Sequence, residues 1–513
     1  MLREDFGSLR INVSTCLISS NLHFFPRSLV SHNGVEYALA QTKSGTRLAV
    51  LADSGSTALN AFEGERAEQG NQTLLLALLD ARNAAALRSQ LPWLQPRLLG
   101  LRTSAGMGDR LGLATPGHVR AIRIAQGKIA PIFAQQSVRE MARTGRTPQQ
   151  VMDDATWGIF AEGWQAGFGA DADHLKTPVD IDACLAAGFT FFTIDPGAHV
   201  DNRAESANLV ELRQLSENLP AEVQPRASGL MGNDFDIEDR SLRFDEFTLL
   251  KAAVKYGRAV AHVAAMYQHL VQAAGPRPFE LEVSVDETDQ PTSNAEHVYI
   301  ASELQRLGVK WVSLAPRYIG RFEKGVDYIG DLAAFEADFA GHAVIARRFG
   351  PYKLSLHSGS DKFSIYPIAA RVSRGLVHLK TAGTSYLEAL RTVATLDAVL
   401  FREIYTFARE RYETDRDSYQ VSAELGRAPI PEAVTDWLDL LDQFDAREIL
   451  HVTFGSVLTE KAADGQKRFY ERLMSALSTN PEAYAANLEK HFIRHLEPFI
   501  CSLVERCPAR VEM

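Results

Sequence analysis

From Leu98 onward, short apolar runs alternate with longer stretches whose apolar residues recur at helical spacing. This alternation is typical of βα units and a parallel sheet. Eight strands are predicted, over residues 98–102, 129–134, 170–175, 190–195, 279–285, 311–315, 352–356 and 376–379. Eight such repeats predict a (β/α)8 barrel of the TIM type, although the pattern leaves a doubly wound open sheet as an alternative.

The pattern of apolar and polar residues is different before and after the predicted barrel. Residues 1–95 are predicted to form a small α+β unit, with strands at 36–40 and 47–51 and a helix over 73–87. Residues 96–409 hold the barrel, and the polar, irregular span 203–242 is interpreted as an insertion or a lid. Residues 410–513 are predicted to be a helical extension and a candidate interface for a homo-oligomer.

Composition narrows the class of protein. Apolar residues make up 46% and charged residues 23%, the balance of an ordinary globular protein. Lys and Arg number 54 against 64 Asp and Glu, so the net charge of −10 argues against a general nucleic-acid binder but allows a small anionic substrate. The sequence has no apolar run long enough to predict a membrane-spanning helix. Four cysteines without a CxxC pair, and the lack of a signal-peptide pattern, favour a reducing, cytoplasmic location.

The chemistry of a barrel lies at the carboxyl ends of its strands, and two histidines stand at such ends. His174 and His357 each close a short strand-like run, and with Glu282 they form a plausible three-ligand metal site. Two imidazoles and a carboxylate suit Zn²⁺, Mn²⁺, Co²⁺ or Ni²⁺ acting as a Lewis acid. The alternatives for the third ligand are Glu280, Asp195, His199 and His378. Asp173, beside His174, is interpreted as a proton shuttle or as a residue that orients His174.

Other polar residues at the strand ends are candidates for binding an anionic substrate. The loops after the seventh and eighth strands often form the anion site of a barrel, and here they offer Ser358, Ser360, Lys380 and Thr384. Asp109, Arg110, Gln135 and Gln136 follow the first two strands. The loop at 106–109 does not continue as GxGxxG, so no bound NAD is expected.

Three segments carry a resemblance to a known family. SAGMGDRLGLATPGH (104–118), KLSLHSGSDKFSIYP (353–367) and HLKTAGTSYLEALR (378–391) resemble the tagaturonate epimerase family of hexuronate catabolism. The resemblance spans most of the chain. It implies a divalent-metal-dependent enzyme that interconverts D-tagaturonate and D-fructuronate by inverting C3.

A more distant similarity is to the class II metal-dependent aldolases. The segment 171–174 (DADH) resembles their HxDH strand end, which implies that Asp173 is an acid/base and that His174 binds metal, with Asp171 where the aldolases have a histidine. The segments 279–283 (FELEV) and 355–360 (SLHSGS) resemble two further aldolase segments, and the second implies that His357 is a ligand. Arg317 lies where those enzymes carry another histidine, so the third ligand is expected to be Glu282.

The implied reaction limits the mechanism. The ketone of tagaturonate is C5, so the hydrogen on C3 is not acidic and simple enolisation cannot invert this carbon. Without a nucleotide fingerprint, cleavage and reclosure of the C3–C4 bond is the favoured route. Glu162 and Asp361 are candidates for the partner acid, and Arg317 and Lys380 for holding the C1 carboxylate. The competing functions are an aldolase that releases both fragments and a non-catalytic sugar-acid sensor.

Overall fold

The computed structural model describes residues 22–237 and 240–502. Within these ranges the chain divides into two compact units. The first contains the residues up to Gln95 together with Asp153–Gly167, and the second contains Pro96–Met152 and the chain from Phe168 onward. The helical extension after residue 409 thus belongs to the same unit as the barrel.

The first unit is built on an antiparallel sheet in the order β1-β3-β4-β6-β5, with β2 paired to β3. Its strands are β1 (His23–Phe24), β2 (Val30–His32), β3 (Val35–Thr42), β4 (Gly45–Asp53), β5 (Gly64–Gln69) and β6 (Gln72–Ala77).

The helix predicted over 73–87 is wrong in its first half. Residues 72–77 form β6, which pairs with both β4 and β5, because a run that is apolar on both faces fits the middle of a sheet as well as it fits a buried helix. The helix Ala81–Gln90 starts only after Asp80, whose side chain accepts the N–H of Asn83.

The second unit contains a closed barrel of eight parallel strands, which confirms the TIM-type prediction and excludes the open sheet. In chain order the barrel runs β7-β8-β9-β10-β13-β14-β15-β16, and β16 pairs back to β7. The strands of this unit are β7 (Ser104–Met107), β8 (Ala130–Ser137), β9 (Gly169–Leu175), β10 (Phe191–Ile194), β11 (Asp234–Ile237), β12 (Arg240–Arg243), β13 (Glu280–Val285), β14 (Ser313–Pro316), β15 (Lys353–Leu356) and β16 (Val377–Thr381).

The first predicted barrel strand, 98–102, is wrong. Gly100 has a left-handed φ of 60°, and the backbone N–H groups of Leu99 and Gly100 both donate to the carboxylate of Glu280. The strand is instead β7, which is buried throughout and whose first three residues, Ser-Ala-Gly, are small. Small side chains leave room for the polar contacts that fill the barrel interior, such as Lys353 Nζ donating to Ser104 Oγ at 3.0 Å.

Helices surround the barrel and make up most of the extension. The helices after residue 90 are Thr115–Ile122, Val138–Thr144, Pro148–Ala161, Pro178–Ala187, Leu209–Ser216, Glu246–Ala274, Asn294–Arg306, Leu332–Phe349, Tyr366–Ser373, Thr384–Leu396, Ala398–Asp415, Trp437–Leu440, Phe444–Val452, Phe454–Thr459, Tyr470–Thr479 and Pro481–Ser502. We call the last of these the C-terminal helix. No helix in the described ranges is long and apolar enough to cross a membrane. Cys184 is a buried free thiol, and Cys501 is disulfide-bonded.

Candidate active site

A buried ammonium lies among three carboxylates at the carboxyl ends of the barrel strands. Lys380 Nζ, from β16, is 2.9 Å from Asp171 Oδ2, 2.7 Å from Asp173 Oδ1 and 2.8 Å from Glu282 Oε1. The period of two along a strand puts Asp171 and Asp173 of β9 on the same inward face. The structure therefore gives Lys380 a different role from the predicted substrate clamp, because its N–H groups are already engaged by the protein.

The charges of this group stabilise one another. Burial disfavours the ammonium, but the carboxylates of Asp171, Asp173 and Glu282 outweigh burial and raise the pKa of Lys380 well above its usual value. Burial also opposes ionisation of Glu282, yet Lys380 and His357 hold its pKa well below the usual range. Burial and the two neighbouring carboxylates raise the pKa of Asp171 to about 6, despite the nearby ammonium.

Next to this group, two histidines and an aspartate form a cluster with the spacing of metal ligands. One ligand atom from each of His174, Asp286 and His357 lies within 4.8 Å of the other two, and the imidazole rings are 5.0 Å apart. His357 is bonded on both nitrogens, with Nε2 2.7 Å from Glu282 Oε1 and Nδ1 2.9 Å from Asp286 Oδ1. The predicted ligand Glu282 thus contacts His357, and Asp286 completes the cluster.

The backbone of His174 explains how two successive side chains reach the same side. In a regular strand, residues 173 and 174 would point to opposite faces. His174 has a left-handed φ of 57°, which is uncommon for a residue with a side chain and tends to occur at functional sites. As a result, Asp173 and His174 line one cavity, and His174 Nδ1 lies 2.7 Å from Asp173 Oδ1.

Two adjoining cavities give access to the cluster. The larger has a volume of about 440 Å³ and the smaller, deeper one about 50 Å³. Residues lining both include Arg139, Asp286, Lys324, His357, Ser358 and Tyr419, so the cavities form one cleft. Asp417, Tyr419 and Gln420 of the extension line the larger cavity, whereas no residue from the described part of 203–242 lines either one. The extension therefore contributes to the wall of the cleft, whereas the described part of 203–242, expected to be an insertion or a lid, does not.

Four predicted substrate-binding residues besides Lys380 line this cleft. Arg110, Ser358 and Ser360 line the smaller cavity, and Arg317 and Ser358 line the larger. Arg110 is held by Glu140 Oε1, 2.9 Å from its Nε, and lies over the ring of Phe454. Ser358 Oγ accepts a hydrogen bond from Lys324 at 2.6 Å.

The other four predicted substrate-binding residues do not line the cleft and make structural contacts instead. Asp109 accepts the backbone N–H groups of residues 111, 112 and 114, so its carboxylate fixes a turn. Gln136 accepts from Arg146 at 2.8 Å, and the side chain of Gln135 lies against Gly106 inside the barrel. Thr384 Oγ1 is 2.7 Å from His491 Nε2 of the C-terminal helix.

The two predicted partner acids do not join the cluster. Asp361 lies in the loop after β15, but its Oδ1 is 2.7 Å from His491 Nε2 and its Oδ2 is 3.3 Å from Arg447. Glu162 belongs to the first unit, where its carboxylate pairs with Arg27 at 2.6 Å. Both carboxylates are therefore engaged in contacts that the sequence does not reveal.

The four residues considered as alternative third metal ligands lie outside the cluster of His174, Asp286 and His357. Asp195 belongs to a second set of possible ligand atoms, with His174 and Glu287. Its carboxylate forms an ion pair with Lys176 at 3.1 Å. His199 stacks on His262 with a ring separation of 4.0 Å. Glu280 binds backbone N–H groups, and His378 is buried beside Ser104, where burial lowers its pKa to about 3.

Sequence reasoning did not assign several residues of the cleft to the site, among them Asp286, Arg139, Lys324 and Tyr419. A signal existed for Asp286, because it follows β13 directly and shares a face with Glu282 in the strand alternation. Arg139 also had a positional signal, because it lies two residues after the end of β8. Lys324 and Tyr419 carry no such signal, since they do not stand at a strand end and reach the cleft only through the tertiary fold.

A closed parallel barrel with ionisable residues gathered at the carboxyl ends of its strands defines a TIM-barrel enzyme. The chain belongs to the tagaturonate epimerase family, whose model (UxaE, tagaturonate epimerase) matches residues 25–499. It is therefore an isomerase of the epimerase class.

The relatives agree with this assignment. The chain is 43% identical over 475 residues to the tagaturonate/fructuronate epimerase of Thermotoga maritima, which covers 92% of this chain and 96% of that protein. The native crystal structure of the fructuronate-tagaturonate epimerase UxaE from Cohnella laeviribosi is 37% identical, with a TM-score of 0.88 over 95% of this chain and 98% of that one. The same enzyme with one glycerol bound gives the same values.

Proposed function

We propose that this chain interconverts D-tagaturonate and D-fructuronate at C3, with a divalent metal ion held by His174, Asp286 and His357. The observation that carries the proposal is the cluster of three ligand atoms within 4.8 Å of one another, beside Asp173 and open to the cleft. The family and the relatives' names support the substrate pair.

The electrostatics of the site suit a cation. Three carboxylates, from Asp171, Asp173 and Glu282, surround the ammonium of Lys380, and Asp286 adds a fourth carboxylate beside His357. Acidic side chains therefore outnumber the ammonium in this group. The effect of these carboxylates is seen at His357. Burial disfavours its charged form, but Asp286 and Glu282 outweigh burial and raise the pKa of His357 to about 10. Imidazole and carboxylate ligands fit Zn²⁺, Mn²⁺, Co²⁺ or Ni²⁺. When bound, such an ion would polarise ketone and hydroxyl oxygens as a Lewis acid.

The reaction itself favours carbon–carbon cleavage. C3 of tagaturonate is β to the C5 ketone, so its hydrogen is not acidic, and inversion needs either transient oxidation or a retro-aldol step. The sequence has no GxGxxG fingerprint after its first barrel strand. We therefore propose the retro-aldol route.

Asp173 is proposed as the base. It takes the C3 hydroxyl proton, the C3–C4 bond breaks to give a C3 aldehyde, and its electrons form the enediolate of the C4–C6 fragment. The aldehyde turns its other face, C4 attacks it again, and the new C3 alkoxide takes the proton back from Asp173. Both contacts of Asp173 to His174 and Lys380 involve Oδ1, which leaves Oδ2 to exchange the proton.

The charges around Asp173 suit a base that stays ionised between turnovers. Burial opposes its charge, but His174 and Lys380 hold its pKa well below the usual value. Such a carboxylate takes a proton more readily from an acidified hydroxyl, and a metal ion held by His174, Asp286 and His357 would supply that acidification.

The test is an assay of tagaturonate epimerisation by chelator-treated protein before and after each of the four metals is added back, with bound metal measured by mass spectrometry. We expect activity to return with about one bound ion per chain, and His174→Ala to lose both. His269→Ala, at a partly exposed histidine bonded to Asp182, is the matched control. Full activity of protein shown to be metal-free would contradict the metal site. Failure to trap any three-carbon aldehyde during turnover would contradict the cleavage route.

A further inference from the structure

Lys324 is a cation of the cleft without a carboxylate beside it. Its Nζ donates to Ser358 Oγ at 2.6 Å, and within residues 22–237 and 240–502 no carboxylate lies within ion-pair distance of this ammonium. The side chain is partly buried and lines both the smaller and the larger cavity. Lys324 therefore stands where the two cavities join, next to His357.

The other cations of the cleft differ from Lys324. Arg139 pairs with Glu287 at 3.3 Å, Arg321 pairs with Glu323 at 3.3 Å, and Lys380 is surrounded by carboxylates. Arg317 lines only the larger cavity. Among the cations of the cleft in the described residues, Lys324 thus combines the lack of an ion pair with a position on both cavities.

A cation removed from water without a counter-charge is unfavourable, and an anion bound beside it offsets that cost. Burial and the nearby Arg139 lower the pKa of Lys324, against the weaker influence of Glu140, Glu287 and Asp286. A ligand carboxylate would reverse this effect, because an opposite charge within hydrogen-bonding distance favours the ammonium.

We propose that Lys324, together with Ser358, binds the C1 carboxylate of the sugar acid and makes the enzyme select sugar acids over neutral ketoses. This inference rests on the proposed function for its substrate. An ammonium and a hydroxyl 2.6 Å apart can both donate to one carboxylate, and charge-assisted hydrogen bonds of this kind are the strong ones.

The anchor also fits the retro-aldol step. Cleavage between C3 and C4 leaves the C1 carboxylate on the aldehyde fragment, which is the part that must turn and must not escape. A contact at C1 allows rotation about the C1–C2 and C2–C3 bonds while it keeps the fragment in the cleft. Lys324 is therefore expected to hold substrate and intermediate alike.

The experiment compares Lys324→Met, Lys324→Arg and wild type, with Lys128→Met as a control for loss of one exposed positive charge. Binding of D-tagaturonate and of D-tagatose, which carries CH₂OH in place of the carboxylate, is measured by calorimetry on metal-loaded protein. Turnover of tagaturonate is measured separately. We expect Lys324→Met to weaken tagaturonate binding about 30-fold or more and to leave tagatose binding within about twofold, with Lys324→Arg intermediate.

The two proposals fail in different ways. If Lys324→Met binds tagaturonate as wild type does, or loses both ligands equally while its circular dichroism is unchanged, the carboxylate anchor is wrong even if the wild type is an active epimerase. If wild type binds tagaturonate through Lys324 but does not epimerise it, the anchor stands and the proposed function is wrong.

Discussion

The carboxylate of Asp361, in the loop after β15, lies 2.7 Å from Nε2 of His491 in the C-terminal helix. The same loop is bound a second time, because the backbone N–H of Asp361 donates to His495 Nε2 at 3.0 Å. Asp361 has a left-handed φ of 62°, and four residues before it stands His357. The C-terminal helix thus fixes the loop that carries a proposed metal ligand.

Substitution of His491 tests this connection. His491→Ala leaves one oxygen of a fully buried carboxylate without its imidazole partner, so we expect the free energy of unfolding to fall by about 1–3 kcal/mol. Urea denaturation measures this change. His269→Ala breaks a more exposed His–Asp contact of similar length and is expected to cost less than about 0.5 kcal/mol. Equal effects of the two substitutions would mean that the buried contact adds nothing to stability.

Removal of the ammonium of Lys380 is expected to be far more damaging. Lys380→Met leaves the carboxylates of Asp171, Asp173 and Glu282 without their shared cation, and such a loss in a buried site costs about 3–5 kcal/mol. The double variant Lys380→Met with Asp171→Asn removes one excess charge and is expected to recover part of the loss. Urea denaturation of both variants provides the measurement. A double variant less stable than Lys380→Met alone would show that Asp171 does not depend on the ammonium.

Two substitutions distinguish Asp286, the proposed third metal ligand, from the neighbouring Glu282. Asp286→Asn removes a carboxylate from the proposed ligand cluster, whereas Glu282→Gln alters the contact between His357 and Lys380. We expect Asp286→Asn to weaken metal affinity by about 100-fold or more, and Glu282→Gln by about 10-fold, as for a residue that orients a ligand. Competition with a coloured chelator measures both. The reverse order would assign the third ligand to Glu282.

The segment 417–420 is expected to retain the aldehyde fragment. Tyr419 lines both cavities, so Tyr419→Ala should raise the ratio of free aldehyde to epimerised product several-fold. Met231→Ala, in the insertion that lines neither cavity, is the control for loss of an exposed side chain. Coupled reduction of the released aldehyde measures the ratio. An equal ratio in both variants would mean that Tyr419 does not close the cleft.

A buried carboxyl pair gives the fold a dependence on pH. Burial and the neighbouring Glu323 raise the pKa of Glu448 to about 8. Because the folded-state pKa is above the ordinary value of 4.5, this contribution to stability is fully present below about pH 4.5, falls as the pH rises, and is lost once the pH has passed about 8. Glu448→Gln keeps an acceptor for the N–H of Ala423, so we expect it to melt higher than wild type at pH 9 and no higher at pH 4. Thermal unfolding at the two values checks this, and parallel curves would contradict it.

The barrel could be predicted from sequence because its signals are local. Apolar runs separated by helical stretches mark seven of its eight strands to within a few residues. The first strand was missed because β7 begins with three small residues, Ser-Ala-Gly, and shows no hydrophobic pattern, whereas the apolar run before it is a loop bound to Glu280.

The site was only partly accessible to the same reasoning. His174, His357 and Asp173 stand at strand ends, so position along the chain points to them. The contacts of each side chain depend on the tertiary fold. Lys380 forms ion pairs with three carboxylates from β9 and β13, and Asp361 binds a helix more than a hundred residues further along the chain. Lys324 and Tyr419 come from irregular segments, where no periodicity marks the direction of a side chain.

The contact between Asp361 and His491 also has a consequence for synthesis of the chain. The last barrel strand ends at Thr381, so all eight strands can leave the ribosome and pair well before His491 has been made. Until then Asp361 in the loop after β15 lacks its two histidine partners from the C-terminal helix. The barrel can therefore close co-translationally before this loop is anchored, and the metal centre proposed beside it would be completed only after the C-terminal helix has been made.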